Sequence, residues 1–95
     1  MNMSYRKLIV KFETGDTVTY DYDTGLVHSF IERVIFNESI YAPAVLSNKG
    51  DSIYFKQGRI HNDAGPAFIG RNDRLEYWLD GVEYSYDQWD KLRLK

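Results

Sequence analysis

Two histidines, a run of carboxylates and a group of aromatic residues carry most of the reactive chemistry in this sequence. His61 and Asp63 lie two apart in "QGRIHNDAGPAFI", Gln57 to Ile69. A histidine with a carboxylate to orient it is the pairing of a general base. Such a base needs a nucleophile held beside it, and no hydroxyl stands next to this pair in sequence. His28 occupies the matching place in an earlier hairpin pattern. A base is needed once and has no reason to recur at a repeat position, whereas a side chain that ties down a turn does. The two histidines are therefore read as structural and the chain as no enzyme; a minimal enzyme using His61 and Asp63 is the alternative.

Metal and phosphate chemistry fit less well. "DYDTG" (Asp21 to Gly25) echoes a calcium loop, with Glu32 at its twelfth position. Such a loop wants a ligand oxygen at position five, where Gly25 stands, and Asp23 shares the stretch with Tyr22, which fits a strand. His28 and His61 are the only histidines and there is no cysteine, so zinc would need carboxylates as well. The two rings are expected to stand tens of ångströms apart in separate hairpins. "GPAFIG" lacks the Lys-Ser/Thr of a phosphate loop. No metal and no cofactor is expected.

The aromatic residues offer a binding surface instead. Tyr54, Phe55 and Trp78, with Arg59, Arg71 and Arg74 nearby, have the composition of a base-stacking platform. A net charge of −2, from 12 basic and 14 acidic residues, and the acidic run Asp16, Asp21, Asp23 argue against nucleic acid. Protein recognition fits better. Trp78 stands between Glu76 and Asp80, the pattern of an aromatic anchor with a polar rim. Tyr54, Lys56 and Arg59 complete a candidate partner-binding set of Tyr54, Lys56, Arg59, Glu76, Trp78 and Asp80. The competing reading is that a helix covers Trp78.

The elements that would position these residues are repeated. Pro43-Ala44 recurs as Pro66-Ala67, Tyr54 as Tyr77 and Gly58 as Gly81, an offset of 23 residues. Between them the order of residue classes persists: two apolar residues, a turn, an aromatic pair, two polar residues, Gly. A degraded copy lies upstream, Gly15 to His28 against Gly50 to His61, with two extra residues. Alternation of Val18, Tyr20 and Tyr22 with Thr17, Thr19, Asp21 and Asp23 marks strand. "DTG", "KQG" and "LDG" supply hairpin turns; "SNKGD" and "GRNDR" supply the opposite turns. The third unit reverses parity, with Leu75, Tyr77 and Leu79 on one face.

Between the first two units lies "SFIERVIFNESI". Ser29 and Glu32 fit a helix capping box, and Phe30, Ile31, Val34 and Ile35 an apolar stripe. Val34-Ile35-Phe36 fits a strand equally well. Ser85 and Gln88 form a second capping box, with Asp87 in the first turn, Trp89 and Leu92 on one face, and Lys91, Arg93 and Lys95 toward the C-terminal end. The expected fold is mainly β (α+β): a small antiparallel meander of about six strands, a short C-terminal helix and an optional second helix near residues 30–38. One domain spans residues 1–95, with unit 1 at about 5–28, the insertion at 29–40, unit 2 at about 41–65, unit 3 at about 66–84 and the helix at about 86–93.

The pattern Tyr54, Phe55, Gly58, Arg59, Ile60, His61, Gly65, Pro66, Ala67 resembles the "NGKLHREDGPA" variant of the MORN-type β-hairpin repeat. Tyr77, Trp78 and Gly81 match it again, and "YSYDQWDKL" is similar to the helix that follows the last repeat. The likeness covers about residues 41–92. The third unit departs from it in lacking the His and Gly-Pro-Ala, and the first in lacking Pro-Ala. Such repeats occur in phage, giant-virus and bacterial proteins and act as interaction or scaffold surfaces, sometimes for membrane lipids. The resemblance implies a small phage accessory protein that binds a host protein, such as a defence component, and inhibits it. A scaffold that pairs with itself through edge strands, giving a homodimer, is the other implication.

Bulk properties agree with a small binding protein. The chain has 95 residues and no cysteine, which suits a reducing compartment, and a cytoplasmic location is expected. "MNMSYRKLIVKF" has no long apolar run, and "WDKLRLK" is too short for a membrane-surface helix, so no membrane association is expected.

Overall fold

A computed structural model describes residues 6–94. Tyr5 and Lys95, expected in the first unit and at the helix end, lie outside the described residues. Strands β1 (Lys7–Lys11) and β2 (Thr17–Asp21) pair antiparallel, followed by β3 (Ile31–Ile35), β4 (Glu38–Tyr41), β5 (Val45–Leu46), β6 (Ser52–Ile53), β7 (Phe55–Lys56), β8 (Arg59–Ile60), β9 (Phe68–Ile69), β10 (Leu75–Leu79) and β11 (Val82–Tyr84). Helix α1 (Tyr86–Leu92) is the last element. Seven strands form one antiparallel sheet in the order β1-β2-β5-β6-β9-β10-β11. The pairs β3–β4 and β7–β8 leave it as separate hairpins. The fold is mainly β with one C-terminal helix, as the alternation implies. About six strands become eleven short ones among the described residues: the insertion adds β3 and β4, and a break at Tyr54 separates β6 from β7. In β10, Leu75 and Glu76 pair with β9, and Tyr77 to Leu79 pair with β11.

Equivalent backbone bonds recur through the chain. Thr19 N–H donates to Ala44 O (2.7 Å), and Tyr54 N–H to Ala67 O (2.8 Å). His28 N–H donates to Thr19 O, and His61 N–H to Tyr54 O. Gly58 N–H donates to Val27 O, and Gly81 N–H to Ile60 O. Each hairpin therefore bonds to the return segment of the hairpin before it, which meets the backbone's hydrogen-bonding requirement without a large core.

The buried residues are few and sit on this ladder. Ala44 is 1% exposed and Ala67 0%, so each Pro-Ala pair places a small methyl group in the buried interior. Trp89, 3% exposed, is the one large buried side chain among the described residues. Helix α1 brings it there. The Ser85 hydroxyl accepts from Gln88 N–H (3.3 Å), satisfying one orphan donor of the first turn. The Trp89 ring packs on Tyr77, with centroids 4.9 Å apart, and Nε1–H donates to Asn62 O (2.8 Å). Leu92, expected to share that burial, is 38% exposed.

The optional helix at 30–38 is a β-hairpin. Ser29 caps nothing; it is buried, and its hydroxyl accepts from Phe55 N–H (3.0 Å). Ile31, Val34 and Ile35 are β-branched and favour strand. Phe36 and Asn37 turn the chain with φ of 50° and 65°, the left-handed pair a two-residue hairpin loop needs. The parity reversal of the third unit also has a physical basis. Glu76 stands where the second unit has Ile53. Its carboxylate accepts from Trp78 Nε1–H (3.0 Å) and from Arg74 (3.1 Å), so a polar residue on the inward side is satisfied.

Candidate functional site

The two histidines are not far apart: His28 and His61 line one open cleft of about 170 Å³. Stacking of successive hairpins brings them together, because each histidine ends the return segment of its hairpin and reaches the next. Gln57 N–H donates to His28 Nδ1 (3.0 Å), and Asp80 N–H donates to His61 Nδ1 (2.9 Å). Both donors open a turn of left-handed residues, with Gln57 at φ 46° before Gly58 at 83°, and Asp80 at 48° before Gly81 at 85°. A non-glycine residue in that region persists only when its surroundings hold it. The histidine of the preceding hairpin supplies that hold.

This bonding fixes the tautomer. A nitrogen that accepts from a backbone N–H carries no proton, so in the neutral ring the proton sits on Nε2. Burial pushes the His28 pKa down, opposed by Asp21 and assisted by Lys56. Burial also pushes His61 down, opposed by Asp80, assisted by Lys56 and opposed by Asp63. The Asp80 carboxylate lies 3.6 Å from His61 Nδ1, an ion-pair partner only for a protonated ring. The accepted hydrogen bond at the same nitrogen decides for the neutral form.

Lys56, Tyr54 and Tyr41 complete the cleft wall, with Asp63 at one side. Burial raises the Tyr54 pKa and Glu32 adds to it, so the phenol keeps its proton and can donate. Asp63 is exposed, and the hydrogen bond at His61 Nδ1 comes from Asp80, not from an Asp63-oriented ring. The Asp63 carbonyl instead accepts from Nη1 of Arg93 (3.2 Å), the residue that follows α1.

The residues of the calcium-like stretch are engaged elsewhere. Asp21 Oδ1 accepts from Asp23 N–H (2.9 Å), and Oδ2 from Gln57 Nε2 (2.9 Å). These contacts, Gln57 first, hold its carboxyl below the usual range against the opposing effect of burial. Asp23 pairs with Arg6, and Glu32 lies on β3. Among the described residues no group of three or more His, Cys, Asp or Glu is placed to hold a metal ion.

The candidate partner-binding residues divide into two places. Tyr54 and Lys56 face the cleft. Arg59 lays its aliphatic stem over Gly81, within 4 Å of where a Cβ would be. Glu76 and Trp78 are half-buried and bonded to each other, and Asp80 is exposed at the turn. The rings of α1 stack on Tyr77, the neighbour of Trp78 on the strand.

Ser29, Tyr41 and the β3–β4 surface were missed by sequence reasoning. Ser29 and Asn62 each follow a histidine and each donate N–H to the next hairpin, to Phe55 O (2.8 Å) and Trp78 O (3.0 Å). Extending the repeat alignment by one residue would have found them. The chain matches no family model, no curated protein and no solved structure. Among the described residues no helix is long and apolar enough to cross a membrane.

Proposed function

We propose that this chain is a non-enzymatic binding module that forms a stoichiometric complex with a protein partner. The observation that carries this reading is the β3–β4 hairpin. It extends from the main sheet with Ile31, Val34 and Ile35 exposed, and Phe36 at its tip is 93% exposed at a left-handed φ of 50°. A large apolar side chain held in water in a strained conformation contributes nothing to this fold. Clustered exposed apolar residues are the usual anchors of an interface. Tyr54, Lys56, Arg59, Glu76, Trp78 and Asp80 provide polar and aromatic contacts beyond the hairpin. The MORN-like resemblance favours a phage-encoded protein with a host defence protein as partner, inhibited by occlusion of its surface.

The test is capture from bacterial host lysate by the immobilised chain and by its Phe36→Ser variant, followed by affinity measurement with the purified captured protein. A loss of affinity of at least tenfold in the variant supports the reading. Equal affinity for both forms overturns it. Self-association is a second reading, favoured by the sheet edge β1, where Leu8 and Ile9 are exposed. Elution on a sizing column that shifts with concentration, and ceases to shift in Ile9→Lys, would establish it.

A further inference from the structure

Hairpin stacks on hairpin by one bonding rule. Gly58 N–H donates to Val27 O (2.8 Å) and Ser29 N–H to Phe55 O (2.8 Å). One hairpin later, Gly81 N–H donates to Ile60 O (2.9 Å) and Asn62 N–H to Trp78 O (3.0 Å). The receiving segment offers a carbonyl and, two residues on, an N–H. The incoming hairpin offers the N–H of its second turn residue and the carbonyl of the strand residue three before it.

The third hairpin repeats the receiving half. Glu83 and Ser85 stand 23 residues after Ile60 and Asn62. Trp78 O is turned to Asn62, so the pair Trp78–Glu83 exchanges no bonds, and Glu83 points its N–H and O outward from β11 at the sheet edge. Among the described residues Ser85 N–H has no acceptor, and both residues are exposed. Helix α1 leaves this edge open because it folds back over the second hairpin, where Trp89 bonds Asn62 O and Arg93 bonds Asp63 O. The β3–β4 hairpin has the incoming half. Its turn, Phe36-Asn37 at φ 50° and 65°, is of the same kind as Gln57-Gly58 (46° and 83°) and Asp80-Gly81 (48° and 85°). Asn37 takes the place of the glycine, and Val34 lies three before it. Among the described residues neither Asn37 N–H nor Val34 O is bonded to another hairpin.

We propose that the β11 edge of one copy of this chain receives the β3–β4 hairpin of a second copy, with Asn37 N–H on Glu83 O and Ser85 N–H on Val34 O. The glycine positions leave room for the asparagine. A Cβ at Gly58 lies 3.8 Å from Leu26 Cβ, and one at Gly81 lies 3.7 Å from Arg59 Cβ, both ordinary contacts. Val82 holds the place of Leu26 and Arg59 on the third hairpin and is 50% exposed, so it would lie on Asn37 of the second copy. Two features make this contact weaker than the stacks within the chain. Tyr84 replaces the histidine, so Phe36 N–H gains no imidazole acceptor. Glu32, Glu38, Asp80 and Glu83 stand against Arg33 on the two surfaces, so the contact rests on backbone bonds and apolar area. Hairpin and edge are different surfaces, which makes the pairing head-to-tail. The protein partner proposed above would compete for the same turn, but the contact between copies does not rest on that partner.

The chain has no cysteine, so single replacements report the contact. The Cβ spacing of the inner stacks is also that of a disulfide, about 3.8 Å. Asn37→Cys and Val82→Cys chains, mixed and oxidised at high salt to screen the like charges, are expected to cross-link to each other at least tenfold faster than either does to itself. Sedimentation of the unaltered chain should show mass rising with concentration. Ser85 has a φ of −64°, which proline adopts, so Ser85→Pro removes the N–H without backbone strain. It should weaken association at least tenfold relative to Ser85→Ala, which removes only the helix-capping hydroxyl. Asn37→Gly should strengthen association. A chain that stays monomeric, a mixture that cross-links no faster than its parts, or equal association of Ser85→Pro and Ser85→Ala overturns the proposal. Association lost in Ile9→Lys assigns the contact to β1 and overturns it too. Failure of these tests leaves the captured-partner reading standing, and a failed capture leaves the cross-link standing.

Discussion

The hairpins β3–β4 and β10–β11 reverse direction in the same way and end in different situations. Each turns through two left-handed residues of which the first is not glycine, Phe36-Asn37 in one and Asp80-Gly81 in the other. At Asp80 the strain is held: its N–H donates to His61 Nδ1 (2.9 Å), Gly81 N–H donates to Ile60 O (2.9 Å), and Tyr77 is covered by Trp89. Among the described residues nothing comparable is present at Phe36. The base of β3–β4 is closed by Ala42 N–H to Phe30 O (3.0 Å), and of its strand residues only Ile40 is even half-buried. Local sequence makes both hairpins. What lies next to each one decides whether it becomes part of the scaffold or a surface held out from it.

The sharpest way to break this contrast is to remove what covers β10–β11. Trp89→Ala should cost about 3–5 kcal/mol, the range for deleting a buried large aromatic residue. The midpoint of urea unfolding measures it. A domain of this size with so small a core would then be close to unfolding. A loss below about 1 kcal/mol would mean that α1 is not what distinguishes the two hairpins. The next largest effect is expected at the most fully buried alanine. Ala67→Leu adds bulk at a position that is 0% exposed, and overpacking there should cost about 1–3 kcal/mol. The same change at the exposed Ser39 should cost almost nothing.

The scaffold half of this contrast was legible in the sequence, and the exposed half was not. Gly58, Gly81, Pro66 and Ala67 impose backbone requirements that are local, so turns and repeat boundaries can be read from residue types. Ser85 and Gln88 announce a helix for the same reason. Ser29 and Glu32 give an identical signal, yet Ser29 is used by a backbone donor 26 positions away, at Phe55. No local pattern records such a partner. The cleft escaped notice similarly: His28 and His61 line one space only because one hairpin stacks on the next, and spacing along the chain says nothing of stacking. Trp78 showed its acidic neighbours in sequence but not that Glu76 would bond its indole nitrogen.

Smaller effects are expected at the histidines. His61→Ala removes the acceptor for Asp80 N–H, which water can partly replace, and should cost about 1 kcal/mol; His28→Ala should behave alike at Gln57. Their pH dependence has a definite sign. Both pKa values are pushed below the ordinary 6.5, mainly by burial, so the unfolded chain binds protons more readily than the folded one. The stability they contribute is complete above pH 6.5 and falls as pH drops through the folded values. Asp21, Asp63, Asp80 and Lys56 surround the rings and modulate this without reversing it. Asp16 and Asp21 have lowered pKa values, so their contribution is lost only below 3.8. Urea midpoints measured from pH 7.5 down to 5 should therefore fall in the wild type and stay flatter in His28→Gln/His61→Gln.

The smallest expected change in stability tests the contrast from its other side. Phe36→Asn places at φ 50° a residue that tolerates left-handed backbone, and it removes a ring that is 93% exposed. Stability should stay within about 0.5 kcal/mol of wild type, with any difference in the stabilising direction. Affinity for the captured partner should nevertheless fall at least tenfold. Asp80→Asn provides the matched control in the tethered hairpin: it keeps the N–H that bonds His61, so it should leave the fold intact. A loss above about 1 kcal/mol in Phe36→Asn would show that the ring packs against something in the folded chain. The β3–β4 hairpin would then belong to the scaffold after all, and its exposed face would need an explanation other than a partner.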